Sequence, residues 1–417
     1  MKQHFVGKWV LTLAVLSACA VPSTSVFAKE AESTSGTTKN VILFVGDGMG
    51  AAARNAMRLS SKGVEGELAM DDMPVTGIVH TSSGSSFVTD SAAAATALAT
   101  GVKTYNGAVG VDMDKDAVKT IMEIAKKAGK SIGIVTTSQV TDATGAAFGA
   151  HVASRSSQSD IAKQYLEDSK VDVILGGGED YWYPQGEEGA FADNPPEDEE
   201  EESKGTQGNL VEKAKELGYT YVTSKKEMQK AEGTKLLGLF ANEEMFTAEE
   251  EDKGAIYDPV VSLPDMTEKA IETLSQNKKG FFLVVEEEAT DEMAHHNNAE
   301  LTIKAGKELD KAVAVAKKFA DKRSDTLVLV TADHETGGLS LETVSDSDES
   351  GEGMSAEDGP FSIADSKEKF VVDWTTSGHT AVDVPLTAMG KNAELFKGEY
   401  ENTYVFEAML KAMKLKK

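Results

Sequence analysis

Residues 41–50 read VILFVGDGMG. Five consecutive apolar residues, Val41 to Val45, run directly into Gly46-Asp47-Gly48. A continuous apolar run closed by glycine is the pattern of a strand buried on both faces, as in a parallel sheet. The pattern recurs as SIGIVTT over residues 131–137, VDVIL over 171–175 before three glycines, FFLVV over 281–285 and TLVLV over 326–330. Helical periodicity lies between these runs. Val118, Ile121, Met122 and Ala125 predict a helix over 117–128, stopped by Gly129. Another helix is expected over 159–168, and a third over 301–322, with Leu309, Ala312, Val313, Ala316, Phe319 and Ala320 on one face. This alternation predicts an α/β fold: a largely parallel central sheet with helices on both faces. Ligands of such sheets sit at the carboxyl ends of the strands.

The 417 residues carry 69 Asp and Glu against 42 Lys and Arg, a formal charge of −27. Apolar residues make up 40 %, which supports a sizeable core and excludes a disordered chain. Length alone would allow two or three domains of ~150 residues, but single α/β domains can be larger. Residues 39–417 are expected to form one such domain, preceded by a flexible stretch over 29–38. The charge argues against nucleic acid or an anionic membrane as a general partner, since every phosphate would be repelled at long range. A single cysteine, Cys19, excludes an intrachain disulfide framework and a thiolate zinc site.

Residues 1–28 read as an export signal. Lys2 and Lys8 precede the apolar stretch WVLTLAVLSA, too short for the ~20 residues that span a bilayer. Val26-Phe27-Ala28 fits cleavage after Ala28, whereas Leu16-Ser17-Ala18-Cys19 resembles a lipobox in which Cys19 would be lipidated. Both lead to an exported protein, and the second gives it a lipid anchor as its contact with a membrane. Two acidic stretches interrupt the later pattern. Asp193 to Glu202 contains seven carboxylates, and Asp346 to Asp358 contains six. Their spacing fits no EF-hand loop, so they read as solvated surface insertions, near 193–204 and 338–374.

Potential chemistry gathers where strands end. Asp47 follows the first strand, Glu286 follows FFLVV, and Asp333 and His334 follow TLVLVTA. One acid after a strand is usually a cap or a turn residue. Several at neighbouring strand ends would repel one another unless a cation sat among them. Asp291 and His295 stand four apart, on one face if helical, a spacing that suits zinc. His379, in SGHT, is a further candidate ligand, while His296 would point elsewhere on the same helix. Ser91, within VTDSAAAAT, opens an alanine-rich helix. Either Asp90 or Ser91 could simply cap that helix. As a nucleophile Ser91 would gain from the helix N-terminus, but no G-x-S-x-G or neighbouring base accompanies it, so a metal would have to activate it. Asp142 and Thr144 precede His151 and Arg155. Arg155 could form a surface ion pair or clamp a phosphate with its planar fork.

Taken together, these segments resemble the alkaline phosphatase family. VGDGMG at 45–50, TDSAAAATA at 89–97, TDATGAAFGAHVASR at 141–155, VEEEATDEMAH at 285–295, TADHETGG at 331–338 and GHT at 378–380 occur in the family's order. The resemblance implies hydrolysis of small-molecule phosphate monoesters, with Ser91 as the nucleophile that becomes phosphoserine and Arg155 holding phosphoryl oxygens, oriented by Asp90. It implies two zinc ions, the first on Asp291, His295 and His379 and the second on Asp47, Asp333 and His334. It also implies one magnesium ion near Asp47, Thr144 and Glu286, with Asp142 acting through water. A homodimer is typical of the family. Two features depart from its pattern. Glu287-Glu288 stand where glycine-rich sequence is usual, and Glu292 follows Asp291 where Lys, His or Trp is common. Added carboxylates would repel phosphate and attract cations. The acidic segment between His334 and His379 suggests a reduced crown-like insertion. The alternatives are a phosphodiesterase or another hydrolase of the same metalloenzyme superfamily, or a non-catalytic surface protein that binds metal or phosphate.

Overall fold

The computed structural model describes residues 36–192, 202–247, 255–344 and 356–417. The expected export signal, including Cys19 and the Ala28 site, lies outside these residues, as does most of both acidic stretches. From the deciding run comes β1 (Asn40–Gly46), every residue of which is buried. In chain order there follow α1 (Ala51–Lys62), β2 (Val75–His80), α2 (Ser91–Thr100), α3 (Ile121–Lys127), β3 (Ser131–Gln139), α4 (Ala143–Gly149), α5 (Gln158–Glu167) and β4 (Val173–Gly177). Next are α6 (Leu210–Glu216), β5 (Thr220–Val222), α7 (Lys225–Lys230), β6 (Leu236–Leu239), α8 (Leu263–Leu274), β7 (Phe281–Glu287), α9 (Ala289–His295), α10 (Ala299–Ala320) and β8 (Thr326–Thr331). The C-terminal part holds β9 (Glu335–Thr336), β10 (Ser340–Thr343), β11 (Ala356–Ser362), β12 (Lys369–Trp374), β13 (His379–Thr380), β14 (Val384–Gly390), β15 (Gly398–Glu401) and α11 (Asn402–Met413).

Ten strands form the central sheet in the order β15-β2-β14-β8-β1-β7-β3-β4-β6-β5. Every pairing is parallel except those of β14, which runs against both β2 and β8. Helices cover both faces, as the fully apolar strands require. Neighbouring residues of β3 show the two sides: a side chain added at Gly133 would meet Leu274 of α8, whereas Ile134 meets Gly145 of α4. β10, β12 and β11 form a separate antiparallel sheet within the expected crown-like insertion.

Several details differ from the sequence expectation. The helix expected over 117–128 begins at Ile121, because Thr120 and Glu123 form a reciprocal capping box. The strand expected over 171–175 is shifted to Val173–Gly177, where it pairs with β3 and β6. Thr38, within the stretch read as flexible, is buried and donates from its backbone to Ala412 O at 3.0 Å. Asp358, within an expected solvated loop, accepts from Ala299 N at 2.7 Å and so closes the first turn of α10.

Register places the functional residues. Val45 is level with Glu286 in β7 and Thr331 in β8, and Glu286 is level with Thr136 in β3. The chain leaves β1, β7 and β8 at one edge of the sheet, where Asp47, Glu286 and Asp333-His334 converge.

Candidate metal centre

His334 sits in the middle of this edge, fully buried. Its Nε2 faces Ser91 Oγ at 3.2 Å, Asp333 Oδ2 at 3.2 Å and Asp47 Oδ1 at 3.4 Å. One imidazole nitrogen carries at most one proton, so it cannot satisfy three oxygens. Burial lowers the pKa of His334 despite the acids beside it, which favours the neutral ring that binds metal. Asp47 Oδ1 and Asp333 Oδ2 make no hydrogen bond although both are shielded from solvent. Burial, followed by the charges of Asp333, Asp291 and Glu286, holds Asp47 well above the usual carboxylate range. Buried unpaired carboxylate oxygens are rare and costly in native proteins.

A second cluster adjoins the first. His295 Nε2 lies 3.0 Å from Asp291 Oδ2 and 3.1 Å from His379 Nε2. The other ring nitrogens are engaged: His295 Nδ1 with Ser377 O at 2.6 Å and His379 Nδ1 with Thr89 O at 2.9 Å. Carbonyl oxygens only accept, so each Nδ1 carries its proton. In the neutral rings both Nε2 atoms therefore present lone pairs to each other across the Asp291 carboxylate. A cation resolves that opposition, and backbone carbonyls that fix the tautomer are the usual support for metal-binding imidazoles. When the rings are instead protonated, the same nitrogens face Asp291 as donors or charges: burial opposes its ionisation, yet His295 at 3.0 Å and His379 at 3.8 Å hold it well below the usual range. The Asp291 bond raises His295 to about 9.

Asp291, His295 and His379 form one group whose ligand atoms all lie within 4.8 Å of one another, and Asp47, Asp291 and His334 form another. Asp291 thus belongs to both. Thr336, in β9, donates to its Oδ1 and lies 3.3 Å from His334 Nδ1. Thr290 secures the preceding loop by donating to Asp47 O at 2.5 Å. Sequence reasoning assigned no role to either threonine, although Thr336 lies inside the quoted TADHETGG.

Beside Asp47, Thr144 Oγ1 donates to its Oδ2 at 3.4 Å, and Thr136 donates to Glu286 Oε2 at 2.6 Å. Glu286 Oε1 is buried without a partner, and burial pushes its pKa up to about 7. This set offers only oxygen, suited to a hard cation, whereas the imidazole-rich clusters suit zinc. Glu287 points to the opposite side of β7. There it accepts from Thr137 and Tyr257, both at 2.7 Å, and takes no part in the edge cluster.

Asp90, not Ser91, caps α2, accepting from Ala93 N at 3.0 Å. Ser91 becomes the first helical residue, with its hydroxyl free to face His334. The sequence showed no base beside this serine, but the fold places an imidazole within hydrogen-bonding reach. Asp142 pairs with Arg155, both carboxylate oxygens lying 2.8–3.0 Å from Nη2. Asp90 is farther from the guanidinium, at 3.9 Å. The Asp142 charge raises the Arg155 pKa still further, so this cation is permanent. His151 instead bonds Gly110 O and Glu123, outside the cluster.

Known proteins resemble this chain over most of its length. The sequence profile described as alkaline phosphatase matches residues 38–363 and 354–415. Alkaline phosphatase 4 of Bacillus subtilis (strain 168) is 34 % identical, over 90 % of this chain and 89 % of its own. The alkaline phosphatase of Escherichia coli (strain K12) is 34 % identical, over 91 % of this chain and 86 % of its own. Among solved structures, the alkaline phosphatase from the Antarctic bacterium TAB5 superposes with a TM-score of 0.72 at 32 % identity, covering 91 % of this chain and 99 % of that one. A variant of the same enzyme, with magnesium bound in a site designated M3, gives 0.74 at 33 % identity with the same coverage.

Proposed function

The chain belongs to the alkaline phosphatase family, and on that premise we propose how its residues hydrolyse phosphate monoesters. The observation that carries the reading is Ser91 Oγ at 3.2 Å from His334 Nε2, at a helix N-terminus and beside two clusters of metal-ligating groups. Asp291, His295 and His379 would hold one zinc ion, and Asp47, Asp333 and His334 a second. Asp47, Thr144 and Glu286 would hold magnesium, with Asp142 acting through water. When bound, these cations supply the positive charge that offsets a phosphate dianion and lowers the pKa of a hydroxyl.

The chain's own groups then do the rest. Asp142 holds one edge of the Arg155 guanidinium, so that its remaining donors can grip phosphoryl oxygens. Asp90, fixed by Ala93 N and by Gly107 N at 2.8 Å, keeps Arg155 from swinging away. Ser91 Oγ gives its proton to solvent water and attacks phosphorus, and the bond to the alcohol oxygen breaks on the opposite side, the alkoxide leaving with the bonding pair and taking a proton back from solvent. Water then attacks the phosphoserine from the vacated side, releasing phosphate and restoring the hydroxyl. Two inversions give net retention at phosphorus. The helix N-terminus stabilises the charge developing on Oγ.

A homodimer and export directed by residues 1–28 complete the proposal, with cleavage after Ala28 or a lipid anchor at Cys19. Among the described residues no helix is long and apolar enough to cross a membrane. The test pairs Ser91→Ala with metal analysis. The variant should form no acid-stable phosphoenzyme and lose most turnover of p-nitrophenyl phosphate while retaining zinc. A diester substrate run alongside should be turned over far more slowly by the wild type. A phosphoenzyme on Ser91→Ala, or preference for the diester, would overturn this mechanism.

A further inference from the structure

His379 lies between two exposed stretches, residues 375–377 and 381–383. A candidate metal ligand is therefore carried by a surface loop and not by the core. That loop is seated by β13, two residues long, which pairs with β9, also two residues long. His379 stands opposite Thr336 and Thr380 opposite Glu335. Isolated two-stranded pairings are marginal in water even when longer, so side chains must support this one. Before His379, Gly337 N donates to Gly378 O at 3.0 Å and Asn297 Nδ2 to Thr376 O at 2.9 Å. After it, the Thr380 hydroxyl donates to Glu335 Oε2. Glu335 is only 4 % exposed, and its Oε1 accepts from Leu339 N at 3.1 Å. Its methylene occupies the space left by the missing side chain of Gly50, since a Cβ built there would overlap Glu335 Cγ. Burying a carboxylate is costly unless its oxygens are used, and an acceptor-only group fixes the Thr380 hydroxyl as the donor.

The position of His379 has little slack. Its ring stacks on His334 with centroids 3.6 Å apart, its Nδ1 lies 2.9 Å from Thr89 O, and its Nε2 lies 3.1 Å from His295 Nε2. Thr89 is two residues before Ser91, so the ring stands between the nucleophile's loop and the metal-ligating groups. Given the zinc assignment of His379 made above, on which this rests, we propose that Glu335 is a positioning residue: by clamping Thr380 across the β9–β13 pair, it holds the His379 imidazole where it meets His295 and Asp291. Glu335 acts through Thr380 alone. Thr336 acts differently, since it bonds Asp291, which belongs to both clusters. Loss of the Thr380 donor should therefore weaken one zinc equivalent and spare the other.

Zinc competition against a chromophoric chelator, run on fully loaded protein, resolves the two equivalents. Thr380→Val, isosteric and at a partly exposed position, should weaken one equivalent ~10–100-fold, the usual effect of losing a group that orients a metal ligand. Thr380→Ser should restore it. Glu335→Ala should weaken the same equivalent, and adding Thr380→Val to it should bring no further loss. If Glu335→Ala does not fold, the Thr380 variants decide. His379→Ala should lose that equivalent outright. If it does so while Thr380→Val binds both equivalents as wild type does, the clamp is overturned. A lower urea midpoint in Thr380→Val with unchanged zinc affinity also overturns it, because the contact would then serve the fold alone, as does a serine variant that behaves like valine. If His379→Ala keeps both equivalents, the zinc assignment itself fails and the clamp falls with it.

Discussion

Gly48 offers a quantitative test of whether Asp291 truly joins the two metal clusters. The residue has φ +64, in the left-handed region. A Cβ built there would overlap Asp291 Oδ1 and come within 2.7 Å of Thr336 Oγ1. The backbone term for Gly48→Ala is ~1–2 kcal/mol. Overpacking a closed site adds ~1–3 kcal/mol, for a total of about 2–5 kcal/mol. Gly218→Ala is the control: φ is +86, but nothing lies within 4 Å of the added methyl, so the backbone term alone applies. The difference between the two variants in urea unfolding of zinc-depleted protein isolates the contact with Asp291 and Thr336. The same contact should displace a carboxylate shared by both clusters. Disturbing the groups that orient a metal ligand typically weakens affinity by ~10–100-fold. Zinc competition against a chromophoric chelator should show that loss in Gly48→Ala and none in Gly218→Ala. Equal destabilisation of the two variants, with unchanged zinc affinity in both, would refute the shared-ligand argument.

Three further outcomes are expected. Arg155→Lys keeps the charge but loses the planar fork, so kcat/KM for a monoester should fall about 10–100-fold, given ~1.5–3 kcal/mol for a charge-assisted hydrogen bond; unchanged phosphate inhibition would count against the clamp. Thr336→Val removes the donor to Asp291 Oδ1 and should cost ~1–3 kcal/mol of stability together with zinc affinity, with Thr336→Ser restoring both; failure of serine to rescue would show that the methyl, not the hydroxyl, matters. Lys130 donates to Lys39 O and Lys279 O, and burial, aided by the Lys39 charge, pushes its pKa from 10.5 to about 8. Between these values the unfolded chain holds a proton that the folded chain lacks, so its contribution to stability rises with pH across that window and is lost as pH falls through about 8. Lys130→Met should flatten the pH profile of urea stability there, and an identical profile would contradict the assignment.

The central strands were legible because burial on both faces leaves an uninterrupted apolar run in the middle of each. β1, β3, β7 and β8 fall within two residues of their apolar runs. β2 and β15 were not legible, since half-exposed strands mix polar and apolar residues. The antiparallel direction of β14 depends on which neighbours it meets, not on its composition. The start of α3 was misplaced because Val118 and Ala117 continue the helical period, while the Thr120–Glu123 cap overrides it. Motif order exposed most of the candidate ligands. It did not show that Asp291 is common to both clusters, because sharing is set by the packing of α9 against β9. Glu286 and Glu287 looked alike in sequence, yet strand alternation sends Glu287 towards Tyr257 and Glu286 towards Thr136 in the acidic cluster.

That divergence bears on how an acidic protein handles an anionic substrate. The formal charge of −27 disfavours phosphate everywhere on the surface, and the sheet edge concentrates still more carboxylates. A site built from permanent cations would not need those acids, whereas one built to be filled by divalent cations requires them. The unpaired oxygens of Asp47, Glu286 and Asp333 are therefore best understood as donors gathered at the strand ends. Each divalent cation bound there removes mutual repulsion among these groups and reverses the local field that phosphate meets. Stability and substrate affinity should accordingly rise together as the donors are filled. Stepwise reloading of metal-free protein should show the unfolding midpoint and phosphate affinity increasing in parallel, with the larger steps at zinc. A rise in phosphate affinity without any gain in stability would mean that the acids are already satisfied by protons, and that the field, not the fold, is what the metals serve.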